Sequence, residues 1–585
     1  MKICKRLALG GISAISLTIA STSVLHANIA DSAIIEAPDF AAAVMAAEAS
    51  DWANDESIRG GLHLVAQYDS SGPDAWDVEK HPLVYITSES HQSNNPDKTL
   101  DGGFAGFHLI DGYTHEVVAV YIGSNVDGNV GIPRGPHGVS VSPDGKWGYV
   151  GWVERTRDFE TRQTGFVAVV NMRTMKIDKL LKQQSRYRGE QRSNPIHHVQ
   201  GCTTDDGQQR VFLQFGFSAD GGPHFVLDPA DDNRVERAIT YDDVHPMGHP
   251  FTTASPDCKT LYVSMGSAVI RHAESPSSGV AKVNLETGGI VEIMGTGHHP
   301  IGITHTMDGE STFVVDGHGS RVYKIDNKSN SVIAQTSSGV AGPYGIVLNW
   351  DESLAFTVGK GEGTHNVGQT LGIFQADSML PYSELKQQPI FLGGSASSVD
   401  HAILHPDPEL NELWVSSMKG WETIVLDLNT MTPKAYIPTP HGGDTHNGAF
   451  IKYEADWTGD VMSDQGGPVS KVMQQMVLDK TTARKAELGD LSAKTHSAAV
   501  ITSDPEELLA IGKKLFEETA GIMVCADCHG MDGSGDVGPD IRGYTEDDVF
   551  AAMQSVEEMN FLRQNFHIGH ENIKAVGAYL EHLGE

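Results

Sequence analysis

The stretch HPIGITHTMDGESTFVVDG at 299–317 decides the fold. A histidine stands directly before a short apolar run, a Met-Asp-Gly turn follows, and a second apolar run returns. The same grammar recurs as HGVSVSPDGKWGYVGW at 137, HVQGCTTDDGQQRVFLQF at 198, HPFTTASPDCKTLYVSMG at 249, YGIVLNWDESLAFTVGKG at 344 and HAILHPDPELNELWVSSMKG at 401. Each unit adds a further apolar strand, such as GFVAVVNM (165–172), GVAKVNLET (279–287) or ETIVLDLNT (422–430), and most add a fourth. Four short strands joined by Asp-Gly-type turns, repeated at a period near 50 residues, are the sequence form of β-propeller blades. Six units begin within the repeat. The N-terminal region supplies three more strands, HPLVYITSE (81–89), GFHLIDG (106–112) and EVVAVYIG (116–123), and HNGAFIKY (446–453) supplies the inner strand they lack. Joining the two ends closes a ring of seven blades and leaves no open sheet edge.

The first strand of each blade is innermost, so its opening residue lies at one mouth of the central channel. The seven slots are His137, His198, His249, His299, Tyr344, His401 and His446. Histidine supplies only 27 of 585 residues, so chance does not fill six slots of seven. One such histidine alone reads as a hydrogen-bonded polar residue. Six converging neutral rings need donors or a metal to use their lone pairs. Imidazole suits copper, zinc, iron and nickel, and six nitrogens are too many for one tetrahedral zinc, which points to a multinuclear copper site. His197, His298, His305, His365, His405 and His441 lie near the slots, but strand alternation turns immediate neighbours such as His197 and His298 away from the axis. Charged candidates for proton transfer near the mouth are Arg134, Glu154, Lys360, Glu362 and Asp444, each of which reads first as a solvated loop charge.

The chain opens MKICKRLALGGISAISLTIASTSVLHANIA, basic residues followed by a short apolar run and a polar region ending in alanines, the pattern of a cleaved secretory signal over 1–30. Cleavage removes Cys4 and leaves no later segment able to span a bilayer, so a periplasmic location is expected. Lys and Arg number 42 against 76 Asp and Glu, a net charge of −34, which excludes nucleic acid as a partner because nothing offsets phosphate repulsion. A small inorganic substrate, a soluble cytochrome c or similar electron carrier, and a homodimer are the partners expected. Cys202 and Cys258 could pair in an oxidising compartment, but they fall at unequal positions of successive blades, which argues against it.

Past Tyr453 the grammar changes, and 456–502 reads as a linker with some helix between a propeller over 31–455 and a second domain over 503–585. SDPEELLAIGKKLFEET (503–519) opens a helix with a capping residue and a first-turn proline. It leads into CADCHG (525–530). C-x-x-C-H in an exported chain signals covalent c-type haem, with thioethers from Cys525 and Cys528 and His529 as an iron ligand. Met559, in a bend after the helix TEDDVFAAMQSVEE, is better placed than Met553 as the sixth ligand. The order CxxCH, GPDIRG loop (538–543), methionine and final helix ENIKAVGAYLEHL (571–583) resembles class I cytochrome c over about 80 residues. The expected fold is thus an all-β seven-bladed propeller followed by a small all-α cytochrome c domain.

Phrases such as PHGVSVSPDGK (136–146) and GHHPIGITHTMDG (297–309) make the propeller resemble the copper propellers of nitrous oxide reductase and thiocyanate dehydrogenase, over roughly residues 60–455. Nitrous oxide reductase also needs a cupredoxin with a Cys-x-x-x-Cys ligand loop, which this sequence lacks. The resemblance therefore implies oxidation of thiocyanate to cyanate and sulfur, with two electrons leaving through the fused haem. Alternatives are a reductase of nitrous oxide, a nitrite-reductase-like propeller holding a modified haem, and a non-catalytic electron-transfer or metal-binding propeller. Net acidity does not steer an anion to the site, so copper, Arg134 or Lys360 would have to supply local positive charge.

Overall fold

A computed structural model describes residues 33–37, 62–89, 106–123, 133–134, 138–155, 163–183, 185–187, 190–192, 196–215, 224–239, 251–265, 278–364, 366–379, 389–440, 443–488, 504–518, 525–535, 538–555 and 570–584. Seven sheets form the blades of a propeller. Five are four-stranded antiparallel meanders, with inner strands Ile196–Thr203, Thr252–Ala254, Pro300–His305, Pro343–Leu348 and Val399–Leu404 in blades 2 to 6. Blade 1 builds outward from Val139–Val141 and gains Leu62–Gln67 at its outer edge. Blade 7 is the closing one: Gly448–Tyr453 pairs with Leu83–Glu89, which pairs with Gly106–Asp111 and then Val117–Gly123. The ring is also sewn by Asn447, whose Oδ1 accepts from Val139 N at 3.1 Å while its Nδ2 donates to Val139 O at 3.2 Å.

The Asp-Gly signal marks one recurrent turn between the first two strands of a blade. Its closing residue takes positive φ whether it is Gly145, Gly309, Cys258 or Glu352. Blade strands bury both faces, because each sheet packs between two others, and the apolar residues accordingly gather into clusters between successive blades. Near the axis the inner strands almost touch. A Cβ at Gly345 would stand 2.8 Å from Asp400 O and 3.1 Å from the His401 Cα, so only glycine permits this approach between blades 5 and 6.

Two expectations are corrected here. The stretch assigned to a linker is built into the propeller as far as residue 488. Gly459–Asp464 pairs with the inner strand of blade 7 on its axial side, and the residues after it reach several blades at once. Ser463 Oγ donates to Leu404 O of blade 6 at 2.7 Å, Gln465 Nε2 to Val199 O of blade 2 at 3.3 Å, and Gly466 O accepts from Thr304 Oγ1 of blade 4 at 2.9 Å. Only a segment on the axis can meet inner strands from such different blades. The helix Lys471–Leu488 follows, capped by Ser470, whose Oγ accepts from Met473 N. Met473 and Val477 enter the core, while Lys471 meets Asp205, Thr481 meets Glu352, and Arg484 meets the Asp351 carbonyl. Those partners belong to first-hairpin turns, so the helix covers the channel end opposite the slots.

The second correction is the disulfide. Cys202 and Cys258 are bonded, with Cα atoms 5.7 Å apart. Unequal register did not prevent it, because the end of the blade 2 inner strand lies beside the first turn of blade 3.

Beyond the propeller, helices Pro505–Glu518, Cys525–His529, Glu546–Ser555 and His570–Gly584 share a small apolar core including Phe516, Ile541, Val549, Ile573 and Leu580. The first and last helices cross closely at Gly512, where a Cβ would sit 1.9 Å from Ala575 O. Residues 1–30, with the expected signal peptide, lie outside the described residues. No described helix is long and apolar enough to cross a membrane.

Candidate metal centre

The slot residues His198, His299, His401 and His446 are all fully buried, and Tyr344 nearly so. His137 and His249 lie outside the described residues, as do His365, His441 and Met559. Three of the histidines meet ring to ring on the axis. The ring centroids of His198, His401 and His446 lie 5.1–5.2 Å from one another. Serines on neighbouring strands pin the backbones that carry them: His401 N donates to Ser416 Oγ at 3.0 Å, Ser416 Oγ to His446 O at 2.7 Å, and His446 N to Ser88 Oγ at 3.0 Å.

Alternation should have turned His197 away, and it does not. Its ring centroid is 4.0 Å from that of His198 and 6.3 Å from that of His446, and its Nε2 meets Tyr344 Oη at 3.1 Å. The cause is local: the pairing of this strand with its neighbour slips between Ile196 and His198, a β-bulge that lets two successive side chains reach the axis. A similar slip lies between Val399 and Ala402, around Asp400 and His401. Asp400 was not singled out from the sequence, yet it is fully buried within the group. No local signal marked it, since an acid two residues after Ser398 reads as an ordinary loop charge.

The geometry offers two overlapping sets of ligand atoms. Those of His197, His198 and His446 lie within 4.8 Å of one another, and so do those of Asp400, His401 and His446. Asp400 Oδ2 touches His446 Nδ1 and lies 3.7 Å from His401 Nε2. Its other oxygen is 2.8 Å from Lys360 Nζ, which also lies 3.6 Å from Glu362 and 3.6 Å above the Tyr344 ring. Lys360 and Glu362 are therefore not solvated loop charges: Lys360 is 8% exposed and sits between two carboxylates. Glu362 continues the series to His299 Nε2 at 3.9 Å, and the His299 ring stacks on His318 at 4.4 Å.

Burial, then the neighbouring imidazoles and Lys360, hold His198 well below the usual histidine range. Burial likewise drives His401 down to about 3 against the opposing pull of Asp400, and lowers His446. Neutral rings keep lone pairs available to a metal. Burial favours a protonated Asp400, but His446, Lys360 and His401 outweigh it and hold the carboxyl below its usual range. The same two carboxylates keep Lys360 charged despite its burial, which would otherwise lower it. Asp444 is buried at the mouth and pushed up to about 7, chiefly by desolvation, so it too differs from a solvated charge.

The remaining candidates lie elsewhere. Arg134 and Glu154 fall on paired strands of blade 1, and their side chains lie outside the described set. His298 is exposed, as alternation requires. His305 ends its strand bonded to Thr312, and His405 meets Gly112 O at 3.0 Å. In the helical region Cys525 and His529 share one short helix, both buried, while the Cys528 side chain is outside the described set.

These features define a seven-bladed β-propeller with a buried imidazole and carboxylate centre on its axis. Comparison assigns no family to it: no family model matches, and no curated protein matches. Among solved structures, it is similar to dihydro-heme d1 dehydrogenase NirN in complex with DHE, at 13% identity and a TM-score of 0.41, over 67% of this chain and 80% of that one. It is similar to Kuenenia stuttgartiensis hydrazine synthase at 14% identity and a TM-score of 0.33, over 61% and 89%. A functionally unknown protein from Desulfotomaculum acetoxidans matches at 14% identity and a TM-score of 0.40, over 62% and 97%.

Proposed function

We propose that the protein is a periplasmic copper- and haem-dependent oxidoreductase whose substrate is a small inorganic anion, with thiocyanate the candidate that the propeller resemblance implies. One observation carries this reading: described imidazoles from three slots, joined by His197, converge on the axis as water-excluded donors beside the buried carboxylate of Asp400. His197, His198, His401 and His446 are the residues that would hold copper, with His137, His249 and His299 as further slot donors. Copper, when bound, would polarise the anion, activate water and accept electrons. The spacing of 5.1–5.2 Å between the rings of His198, His401 and His446 lets their nitrogens converge on shared metal ions, which supports the copper reading.

The chain itself supplies the rest. Burial excludes competing water, and Lys360, held charged between Asp400 and Glu362, offsets part of the carboxylate charge at the wall of the centre. In the helical region His529 Nδ1 donates to Pro539 O at 2.8 Å, which fixes the tautomer and leaves Nε2 as the nitrogen that would hold the iron of a haem attached through Cys525 and Cys528. Met559 is the proposed sixth ligand. The overall reaction would convert thiocyanate and water to cyanate, elemental sulfur, two protons and two electrons, the electrons leaving singly through the haem to an external cytochrome c or similar carrier. The test is anaerobic addition of thiocyanate to oxidised, copper-loaded protein while the haem spectrum is followed. Haem reduction supports the reading. A spectrum that stays oxidised, or oxidation of reduced haem by nitrous oxide, overturns it.

A further inference from the structure

Asp400 stands at the branch point of the buried centre. One oxygen faces His446 Nδ1 and the other is held by Lys360 at 2.8 Å, which is itself held by Glu362 and lies over the Tyr344 ring. Both the carboxylate and the imidazole are completely buried. A histidine ring has two nitrogens, and the partner of one decides which remains for a metal. With Asp400 against Nδ1, His446 directs Nε2 away from the carboxylate, and of the two sets His446 belongs to, the one with His197 and His198 contains no carboxylate, while the other holds Asp400 and His401. A lone buried carboxylate would be costly, and it could also swing to compete for a metal ion. The ammonium of Lys360 removes both problems, since it offsets the charge and fixes the oxygen that does not face His446.

We propose that Asp400, braced by Lys360, is a positioning carboxylate that makes His446 an Nε2 donor to the His197–His198–His446 set, rather than being a metal ligand itself. This rests on the metal-centre reading given above and adds to it a division of labour between the two overlapping sets. Asp400 keeps His446 in one tautomer and one orientation, and its charge raises the basicity of that ring as a donor. Lys360 acts only through Asp400.

The experiment is titration of the full-length apoprotein with cupric ion, with affinity measured by chelator competition and the electron paramagnetic resonance spectrum recorded at each loading. Asp400→Asn keeps an oxygen near His446 but removes the charge. It is expected to bind the same number of coppers with about ten- to hundredfold weaker affinity and with altered hyperfine splitting. Lys360→Gln is expected to change affinity and spectrum in the same direction to a smaller extent, and Lys360→Arg to restore both. Loss of one whole copper equivalent in Asp400→Asn, with the others unchanged, would make Asp400 a ligand and overturn the proposal. An unchanged affinity and spectrum would overturn it too. If Asp400→Asn does not fold by circular dichroism, identical spectra for the Gln and Arg variants of Lys360 would overturn it. Wild-type protein that binds no copper overturns the metal-centre reading itself, a result distinct from all of these.

Discussion

At the scale of single residues, the centre depends on groups that touch no ligand atom. Gly345 lets the inner strands of blades 5 and 6 approach, and a methyl there would press on Asp400 O and the His401 backbone. Gly345→Ala is therefore expected to lower copper occupancy in protein whose circular dichroism shows an intact fold, with metal analysis after gel filtration as the check. Asp464 gives a prediction of a different kind. Buried on the axis, it accepts from Gly466 N at 2.7 Å, and burial pushes it from the usual 3.8 to about 7. The folded state then binds a proton that the unfolded state has released between those values, so this group's contribution falls as pH rises from about 4 to 7. The penalty above pH 7 is up to about 4 kcal/mol. Asp464→Asn, which keeps the acceptor, should raise the melting temperature more at pH 8 than at pH 4. An equal shift at both values would contradict the assignment. Of these residues, the slot histidines were legible because they open a repeated unit. His197 and Asp400 were not, because a bulge is a departure from the alternation on which such reading depends.

At the scale of elements, the strand Gly459–Asp464 and the helix Lys471–Leu488 finish what the seven blades begin. They cover the channel end away from the slots, where the helix meets the first-hairpin turns. The strand had no propeller grammar to announce it, since GDVMSD is short and polar and pairs on the axial side of an inner strand, a place no other blade fills among the described residues. The helix was equally quiet: in KVMQQMVLDKTTARKAEL the described apolar contribution is confined to Met473, Met476, Val477 and Leu478, and the rest is held by ion pairs and carbonyl contacts to hairpin turns. A chain ending at residue 488 should therefore yield soluble protein with a cooperative melt. One ending at 455, where the sequence pattern stops, should aggregate or melt at least 10 °C lower. Equal stability of the two chains would show that the axial segment contributes nothing to the fold.

At the scale of the whole molecule, seven blades could be counted from the sequence because each repeats its turn and its slot, and the closing pairing of residues 448–453 with 83–87 follows from the need to remove edges. The helical region was legible from CADCH and the capping pattern at 503–505 for the same reason, a spacing tied to a chemistry. What the repeat leaves open is the cofactor, since a slot histidine suits several metals. A copper centre in the propeller joined to one covalent haem in the same chain is the arrangement proposed. Its most direct test is metal analysis, with an optical spectrum, of full-length protein matured in a periplasm. Two or more coppers and one c-type haem per chain are the predicted result. One c-type haem without copper, or a second haem band not of the c type, would contradict it.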